Sequence, residues 1–228
     1  MSKGIFITAT GTDVGKTYIT ALITKALCDH GINAGYYKAV LSGAEIINEK
    51  IIAGDAKLVF DCAKIEKEPN DYVSYILKTP VSPHLAAELE NVTIELNNIY
   101  SHFNRIKSEF EYITVEGSGG IICPIRLDGE VIMLTDIIKK LGLEVLIVAS
   151  AELGTINHTV LTVEYVKQQG ICIRGIILNN YDDKSFMHRD NKQIIERLTG
   201  IEVIAMVEKG AKRLNVQNDM LCSLYKEI

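Results

Sequence analysis

The feature that most constrains the fold is the tripeptide Gly15-Lys16-Thr17, which lies between a strand pattern and a helix pattern. An apolar run at residues 4–7 precedes it, and apolar residues spaced three and four apart follow it as far as Gly31. A strand, a turn and Gly-Lys-Thr at a helix start form the phosphate-binding loop, or P-loop. In this loop, backbone N–H groups and the lysine hold phosphate oxygens, and the threonine can ligate Mg²⁺. The strict motif has glycine where this chain has Thr10, so an ordinary strand–helix turn remains an alternative on this motif alone.

Length and composition limit the class of protein. With 228 residues, 47% hydrophobic and 23% charged, the chain is predicted to form one domain, residues 1–228. The net charge of −5 argues against a general nucleic-acid binder. No apolar stretch approaches membrane-spanning length, and the first strand begins too early for a signal peptide, so we expect a cytoplasmic protein without a membrane partner. The five cysteines are scattered without C-x-x-C spacing, which indicates reduced thiols.

Continuous apolar runs and helix-period patterns alternate along the chain, as is typical of parallel strands covered on both faces. Strands are predicted at 5–8, 34–38, 112–116, 145–149, 175–178 and 203–207. Helices are predicted at 17–30, 55–62, 85–90, 94–109, 135–141, 157–169 and 191–198. The polar stretch 66–83, which contains three prolines, is predicted to be a loop. The alternation predicts an α/β fold with a mostly parallel central sheet and helices on both faces, in which ligands bind beyond the carboxyl ends of the strands.

Polar and glycine-rich segments follow the predicted strands at that edge. Glu116 precedes Gly117-Ser118-Gly119-Gly120, and a carboxylate at a strand end beside a P-loop is well placed to ligate Mg²⁺. Lys38 ends the second predicted strand and is followed by Ser42-Gly43; it could also cap the strand in solvent. Asp55 opens a helix, where capping is the more common role.

Three more segments have a chemical and a purely structural interpretation. Gly154-Thr155-Ile156-Asn157 opens a helix whose exposed N–H groups suit a carboxylate, but Thr or Asn capping explains it equally well. Asn179 ends a strand and can contact a base edge or form an Asx-turn. Ser82-Pro83-His84 begins a helix, and a histidine there is more often a surface or capping residue than a catalyst.

Taken in order, these segments resemble the dethiobiotin synthetase family. The resemblance spans nearly the whole chain and rests on Thr12-Asp13-Val14-Gly15-Lys16-Thr17, Lys38 with Ser42-Gly43, Gly54-Asp55-Ala56, Ser82-Pro83-His84-Leu85-Ala86, Glu116-Gly117-Ser118-Gly119-Gly120, Gly154-Thr155-Ile156-Asn157-His158, and Gly175 with Asn179. It implies a single P-loop NTPase-like α/β domain, usually assembled as a homodimer. It also implies an enzyme of biotin biosynthesis that uses ATP and Mg²⁺ to convert 7,8-diaminononanoate and CO₂ into dethiobiotin.

The reaction of that family implies roles for individual residues. A substrate amine takes up CO₂ to form a carbamate, the carbamate attacks the γ-phosphorus of ATP, and the second amine closes the cyclic urea and releases phosphate. The resemblance implies catalytic roles for Thr12, Lys16 and Lys38, and Mg²⁺ ligation by Thr17, Asp55 and Glu116. It implies ATP contacts by Asp13, Val14, Gly15, Lys16, Thr17, Tyr18, Glu116, Gly119 and Asn179. It implies substrate contacts by Thr12, Lys38, Ser42 and, from the partner subunit, Gly154, Thr155, Ile156 and Asn157.

The competing class is a nucleotide switch of the ParA/MinD type. Those proteins carry a signature lysine early in the P-loop, but residues 9–14 here read Ala-Thr-Gly-Thr-Asp-Val. They also often carry a membrane-targeting helix or a basic DNA-binding patch, and the segment 217–228 is neither long nor markedly basic. An amidotransferase-type synthetase would need an additional glutaminase domain, for which 228 residues leave no space. The sequence therefore favours the enzyme.

The chain departs from the family pattern at three places. The family commonly has glycine at the position of Ala9 and proline at the position of Ala39. A proline also usually follows the strand matching 203–207, near the nucleotide base, whereas residues 205–210 here read Ala-Met-Val-Glu-Lys-Gly. Because base specificity needs polar groups matched to the base edge, we expect weaker discrimination among nucleoside triphosphates than is normal for the family.

Overall fold

The computed structural model describes all 228 residues. Its strands are β1 Lys3–Ala9, β2 Ala34–Ser42, β3 Glu45–Ile47, β4 Lys50–Ile52, β5 Val73–Leu77, β6 Tyr112–Glu116, β7 Pro124–Arg126, β8 Ile132–Met133, β9 Val145–Ser150, β10 Ile173–Asn179, β11 Val203–Val207 and β12 Lys226–Glu227. Its α-helices are α1 Lys16–Asp29, α2 Gly54–Ala63, α3 Pro83–Leu89, α4 Leu96–Lys107, α5 Leu134–Leu141, α6 Thr155–Gln168, α7 Phe186–Thr199 and α8 Asn218–Ser223.

The main sheet has the strand order β11-β10-β9-β1-β6-β2-β5, and all of these strands are parallel. The short β12 pairs antiparallel with the start of β1, and β3-β4 and β7-β8 form separate hairpins. The strands β2, β5 and β6 lie on one side of β1, and the later strands β9, β10 and β11 lie on its other side. The loop after β1 therefore lies near the middle of the carboxyl edge, where the direction of winding reverses and ligands usually bind.

Both faces of the sheet are covered, which explains the continuous apolar runs. Because successive strand residues point to opposite faces, Ile5 and Ile7 of β1 pack in one core layer and Phe6 packs in the other. Helices α1 and α8 contribute to the layer that contains Ile5, whereas α5 and α6 contribute to the layer that contains Phe6. The predicted α/β fold with a mostly parallel sheet and helices on both faces is confirmed.

The segment 66–83, predicted to be a loop, is not one. It contains a 3₁₀ turn, Pro69–Tyr72, followed by the edge strand β5. All three prolines of the segment lie outside β5, so none removes a hydrogen bond from the strand. Pairing with β5 carries β2 beyond Lys38 as far as Ser42, so the predicted end of the second strand at residue 38 was also wrong. Lys38 therefore lies in the middle of β2 rather than at its carboxyl end.

The remaining predicted elements exist, with shifted ends. The largest shift is in α7, which begins at Phe186 rather than at residue 191 because Ser185 caps it by accepting a hydrogen bond from the backbone N–H of His188. The sequence patterns did not predict α8, β12 or the short strands of the hairpins β3-β4 and β7-β8. None of the helices combines the length and the apolar character needed to span a bilayer.

Candidate active site

The loop between β1 and α1 leaves the start of α1 open to an anion. The helix begins at Lys16, directly after Gly15, and its first turn has neither a side-chain cap nor an acidic residue. Gly15 adopts a φ of 90°, and a Cβ there would lie 2.1 Å from Nδ2 of Asn179. That same amide donates to the Val14 carbonyl oxygen at 3.0 Å and so connects the loop to the end of β10. Unpaired N–H groups at a helix start are what a phosphate site requires.

A cavity of about 470 Å³ lies over this loop. Its walls come from the loop, from β2, from the start of α2 and from the end of β6. The lining residues are Thr12, Asp13, Gly15, Lys16, Thr17, Tyr18, Lys38, Ser42, Asp55, Glu116, Ser118 and Gly119. All of them except Ser118 were predicted site residues, so the structure brings most of the predicted set together. Val14 and Asn179 support the loop without lining the cavity.

A buried lysine joins two carboxylates at the floor of the cavity. The Lys38 Nζ donates to Asp55 Oδ2 at 2.6 Å and to Glu116 Oε1 at 2.8 Å. Lys38 and Glu116 are direct neighbours in the register of β2 and β6, which explains why they meet. The Thr17 hydroxyl also donates to Glu116 Oε1, at 2.7 Å. Side chains from α1 and β2 thus converge on one carboxylate that is 1% exposed.

The two cavity lysines differ electrostatically. Burial opposes the charge of Lys38, but the charges of Glu116 and Asp55 outweigh it and raise the pKa of Lys38 above its ordinary value. Burial also lowers the pKa of Lys16, and the more distant charge of Glu116 does not compensate. Lys16 takes part in none of the ion pairs of the structure. Lys16 is therefore the cation that an incoming phosphate would stabilise most.

The carboxylates and the hydroxyl at the loop have the chemistry of a magnesium site. No group of three or more His, Cys, Asp or Glu side chains forms a metal cluster in the structure. Mg²⁺ usually takes one or two carboxylates and completes its shell with water and substrate phosphates. The hydroxyl of Thr17 and the carboxylates of Asp55 and Glu116 all border the cavity, so these residues fit Mg²⁺ that arrives with a nucleotide.

Two residues at the site were missed by sequence reasoning. The fully buried Tyr36 donates its hydroxyl to Glu116 Oε2 at 3.2 Å. Ser118 lines the cavity and donates its hydroxyl to the Val40 carbonyl oxygen at 2.5 Å. Tyr36 lies two residues before Lys38 and so shares its strand face, but an aromatic residue in a buried strand is typical of core packing. No sequence signal distinguished this role.

The predicted substrate segment Gly154–Asn157 does not reach the cavity of its own chain. It starts α6, whose first turn has no side-chain cap and no acidic residue. Gly154 is exposed and has a φ of 93°, whereas Thr155 is buried. The segment is therefore an open helix start at the surface, and its role in substrate binding stays a prediction. His84 also lies apart, in a separate cavity of about 290 Å³ beside Arg126.

Comparison with known proteins decides the family. A family model described as an AAA domain matches residues 3–214. The ATP-dependent dethiobiotin synthetase BioD of Clostridium botulinum strain Alaska E43 is 56% identical over 225 residues, 99% of each chain. The protein of the same name from strain Eklund 17B is 59% identical over 203 residues, 89% of each chain. The chain belongs to the dethiobiotin synthetase family. This assignment confirms the resemblance and the prediction of an enzyme.

Solved structures of other proteins share the fold of this chain. The MinC:MinD cell division complex of Aquifex aeolicus aligns with a TM-score of 0.59 and 17% identity, covering 98% of this chain and 86% of that chain. A ParA family ATPase from Chlorobium tepidum aligns with a TM-score of 0.58 and 16% identity, covering 98% and 90%. At this identity the likeness concerns the fold alone, and it confirms the P-loop NTPase-like architecture.

Proposed function

We propose that this chain is an ATP- and Mg²⁺-dependent dethiobiotin synthetase. It joins CO₂ to 7,8-diaminononanoate and closes the cyclic urea, with release of ADP and phosphate. The observation that carries the proposal is the identity of more than half over nearly the whole length of relatives with that name. The cavity supports it, because its cations and open helix start suit a reaction between anions.

The chemistry of the reaction explains why such a cavity suffices. A carbamate is an anion, and transfer of the γ-phosphoryl group spreads negative charge over its oxygens, so catalysis depends on positioning and on charge stabilisation. Lys16 and the N–H groups at the start of α1 would hold the β- and γ-phosphates. Thr17, Asp55 and Glu116 would hold Mg²⁺, which would neutralise part of the phosphate charge.

Lys38 is the second cation of the proposed mechanism. Its ammonium lies between Asp55 and Glu116 at the floor of the cavity, where it would neutralise the carbamate and the transferred phosphoryl group. The hydroxyls of Thr12 and Ser42 border the same cavity and would donate hydrogen bonds to the carbamate. None of these groups needs to act as a strong base, because the amine loses its proton when it forms the carbamate.

The far carboxylate of the substrate is proposed to rest on α6 of a partner subunit in a homodimer. The open helix start at Gly154–Asn157 has N–H groups for an anion and no side chain that satisfies them. Leu153 is 86% exposed and Leu161 on α6 is 62% exposed, so apolar surface flanks this helix start. Burial of that surface against a second copy would bring the helix start to the cavity of the partner.

One assay tests the proposed function. Purified protein is incubated with MgATP, bicarbonate and 7,8-diaminononanoate, while phosphate release and the cyclic urea product are followed by colorimetry and mass spectrometry. We expect phosphate and urea in equal amounts, and no urea without the diamine. A nucleotide switch would instead hydrolyse ATP at a rate that the diamine does not change. Phosphate release without urea, at a rate independent of the diamine, contradicts the proposal.

Base selectivity is expected to be weak. The segment Glu208-Lys209-Gly210, which follows β11, is exposed throughout, so it presents no buried polar group to a base edge. The Tyr18 hydroxyl donates to the carbonyl oxygen of Ala211. This hydrogen bond connects the segment to α1 and is not a contact to a nucleotide base. We expect the kcat/KM values for ATP, GTP and CTP to lie within about tenfold of one another. Side-by-side kinetics check this, and a strict preference for ATP contradicts it.

A further inference from the structure

Three side chains donate hydrogen bonds to the Glu116 carboxylate. Oε1 accepts from the Thr17 hydroxyl at 2.7 Å and from the Lys38 ammonium at 2.8 Å. Oε2 accepts from the Tyr36 hydroxyl at 3.2 Å. Thr17 and Lys38 line the cavity, whereas Tyr36 does not. One oxygen therefore meets donors that face the cavity, and the other meets a donor that belongs to the core.

The core holds Tyr36 firmly. Its side chain is fully buried, and its ring packs edge-on against Phe60 of α2, with ring centroids 6.3 Å apart. In the register of β2 and β6, Tyr36 pairs with Thr114, two residues before the pair formed by Lys38 and Glu116. An ionised carboxylate only accepts hydrogen bonds, so the Tyr36 hydroxyl is the donor in its contact with Glu116.

We propose that Tyr36 is a positioning residue that holds Oε2 of Glu116 from beneath, so that Oε1 alone is presented to a divalent cation bound with the nucleotide. The proposal rests on the Mg²⁺–nucleotide site proposed above. Mg²⁺ requires near-octahedral geometry and suits a carboxylate that offers one oxygen, whereas the larger Ca²⁺ accepts both oxygens of a carboxylate. Fixing Oε2 therefore raises affinity for Mg²⁺ and disfavours Ca²⁺ at this site.

The chain contains a matched control next to this residue. Tyr37 is also fully buried, but its side chain points to the opposite face of β2. Its hydroxyl lies 2.6 Å from Ser74 Oγ and donates to the Ile99 carbonyl oxygen at 3.1 Å. It makes no hydrogen bond to the carboxylates of the site. Tyr37→Phe thus removes the same group from the same strand and reports the cost to the fold alone.

The test measures the affinity of the ADP complex for Mg²⁺ and for Ca²⁺ by isothermal titration calorimetry, with Tm recorded for each variant. We expect Tyr36→Phe to weaken Mg²⁺ binding about tenfold, the factor for loss of one hydrogen bond to a charged group, and to weaken Ca²⁺ binding less. Tyr37→Phe should keep the Mg²⁺ affinity within about twofold of the wild type, even where its Tm falls. Wild-type Mg²⁺ affinity in folded Tyr36→Phe overturns the proposal.

A second comparison asks whether Tyr36 acts through Glu116. In a Glu116→Gln background, Tyr36→Phe should change the Mg²⁺ affinity by less than about twofold, since the group it positions has lost its charge. Equal effects in both backgrounds would mean that Tyr36 acts elsewhere and overturn the proposal. These titrations contain no diamine, so their outcome is independent of the urea assay, and failure of the proposed reaction is distinguished from failure of this inference.

Discussion

Lys16→Ala is expected to lower kcat/KM for cyclic urea formation by about 10²–10³-fold, the usual effect of removing one preorganised charge-stabilising group. Lys16 lies in the cavity at the start of α1, where the β- and γ-phosphates are proposed to bind. The ammonium makes no ion pair within the chain, so its charge is free to act on the phosphates. Steady-state phosphate release with mass-spectrometric detection of the urea measures the effect.

The stability of this variant provides an independent check. Because burial lowers the pKa of Lys16, its charge costs free energy in the folded chain relative to the unfolded chain. Lys16→Ala should therefore have a Tm equal to or above that of the wild type. Lys25→Ala is the control, since Lys25 lies on the same helix and pairs only with the exposed Asp29. It should keep wild-type kcat/KM, and wild-type turnover in folded Lys16→Ala would contradict the assignment.

The P-loop residues that the sequence singled out border one cavity, and their sequence signals are local. Gly15, Lys16 and Thr17 are adjacent in the chain, and the strand pattern before them and the helix pattern after them together indicate a strand, a turn and a helix start. Glu116 was found because a charge at the end of an apolar strand is unusual in a core. The rule that ligands bind at the carboxyl ends of parallel strands then brought both segments to one edge of the sheet.

The parts that the sequence did not predict depend on pairing between distant segments. β5 was missed because Val73–Leu77 is a short edge strand with prolines on both sides, and the pairing that defines it involves β2. Without β5, β2 was predicted to end at Lys38, and the side-by-side register of Lys38 and Glu116 was not foreseen. Tyr36 was missed because its role depends on which oxygen of Glu116 its hydroxyl meets, which no periodicity encodes.

Whether the site is completed by a second subunit is tested by mixing two impaired variants, Lys16→Ala and Gly154→Val, at a diamine concentration too low for either variant alone to turn over. Gly154 has a φ of 93°, where a β-branched residue is strained, so Val should displace the N–H groups at the start of α6. A Cβ at this position would meet nothing closer than 3.6 Å, to His158, so the damage should stay local. We expect Gly154→Val to raise the KM for the diamine and to leave MgATP binding intact.

If each site combines the P-loop of one subunit with α6 of the other, a mixed dimer contains one site with both halves intact. Random exchange of equal amounts makes about half of the dimers mixed, so activity should recover to about one quarter of the wild type. Lys16→Ala mixed with Glu116→Gln is the matched control, because both changes lie in the same cavity and no mixed dimer can hold an intact site. Subunit exchange is verified with differently tagged chains. Confirmed exchange without recovery would mean that each site is built within one chain, and Gly154–Asn157 would then lose its proposed role.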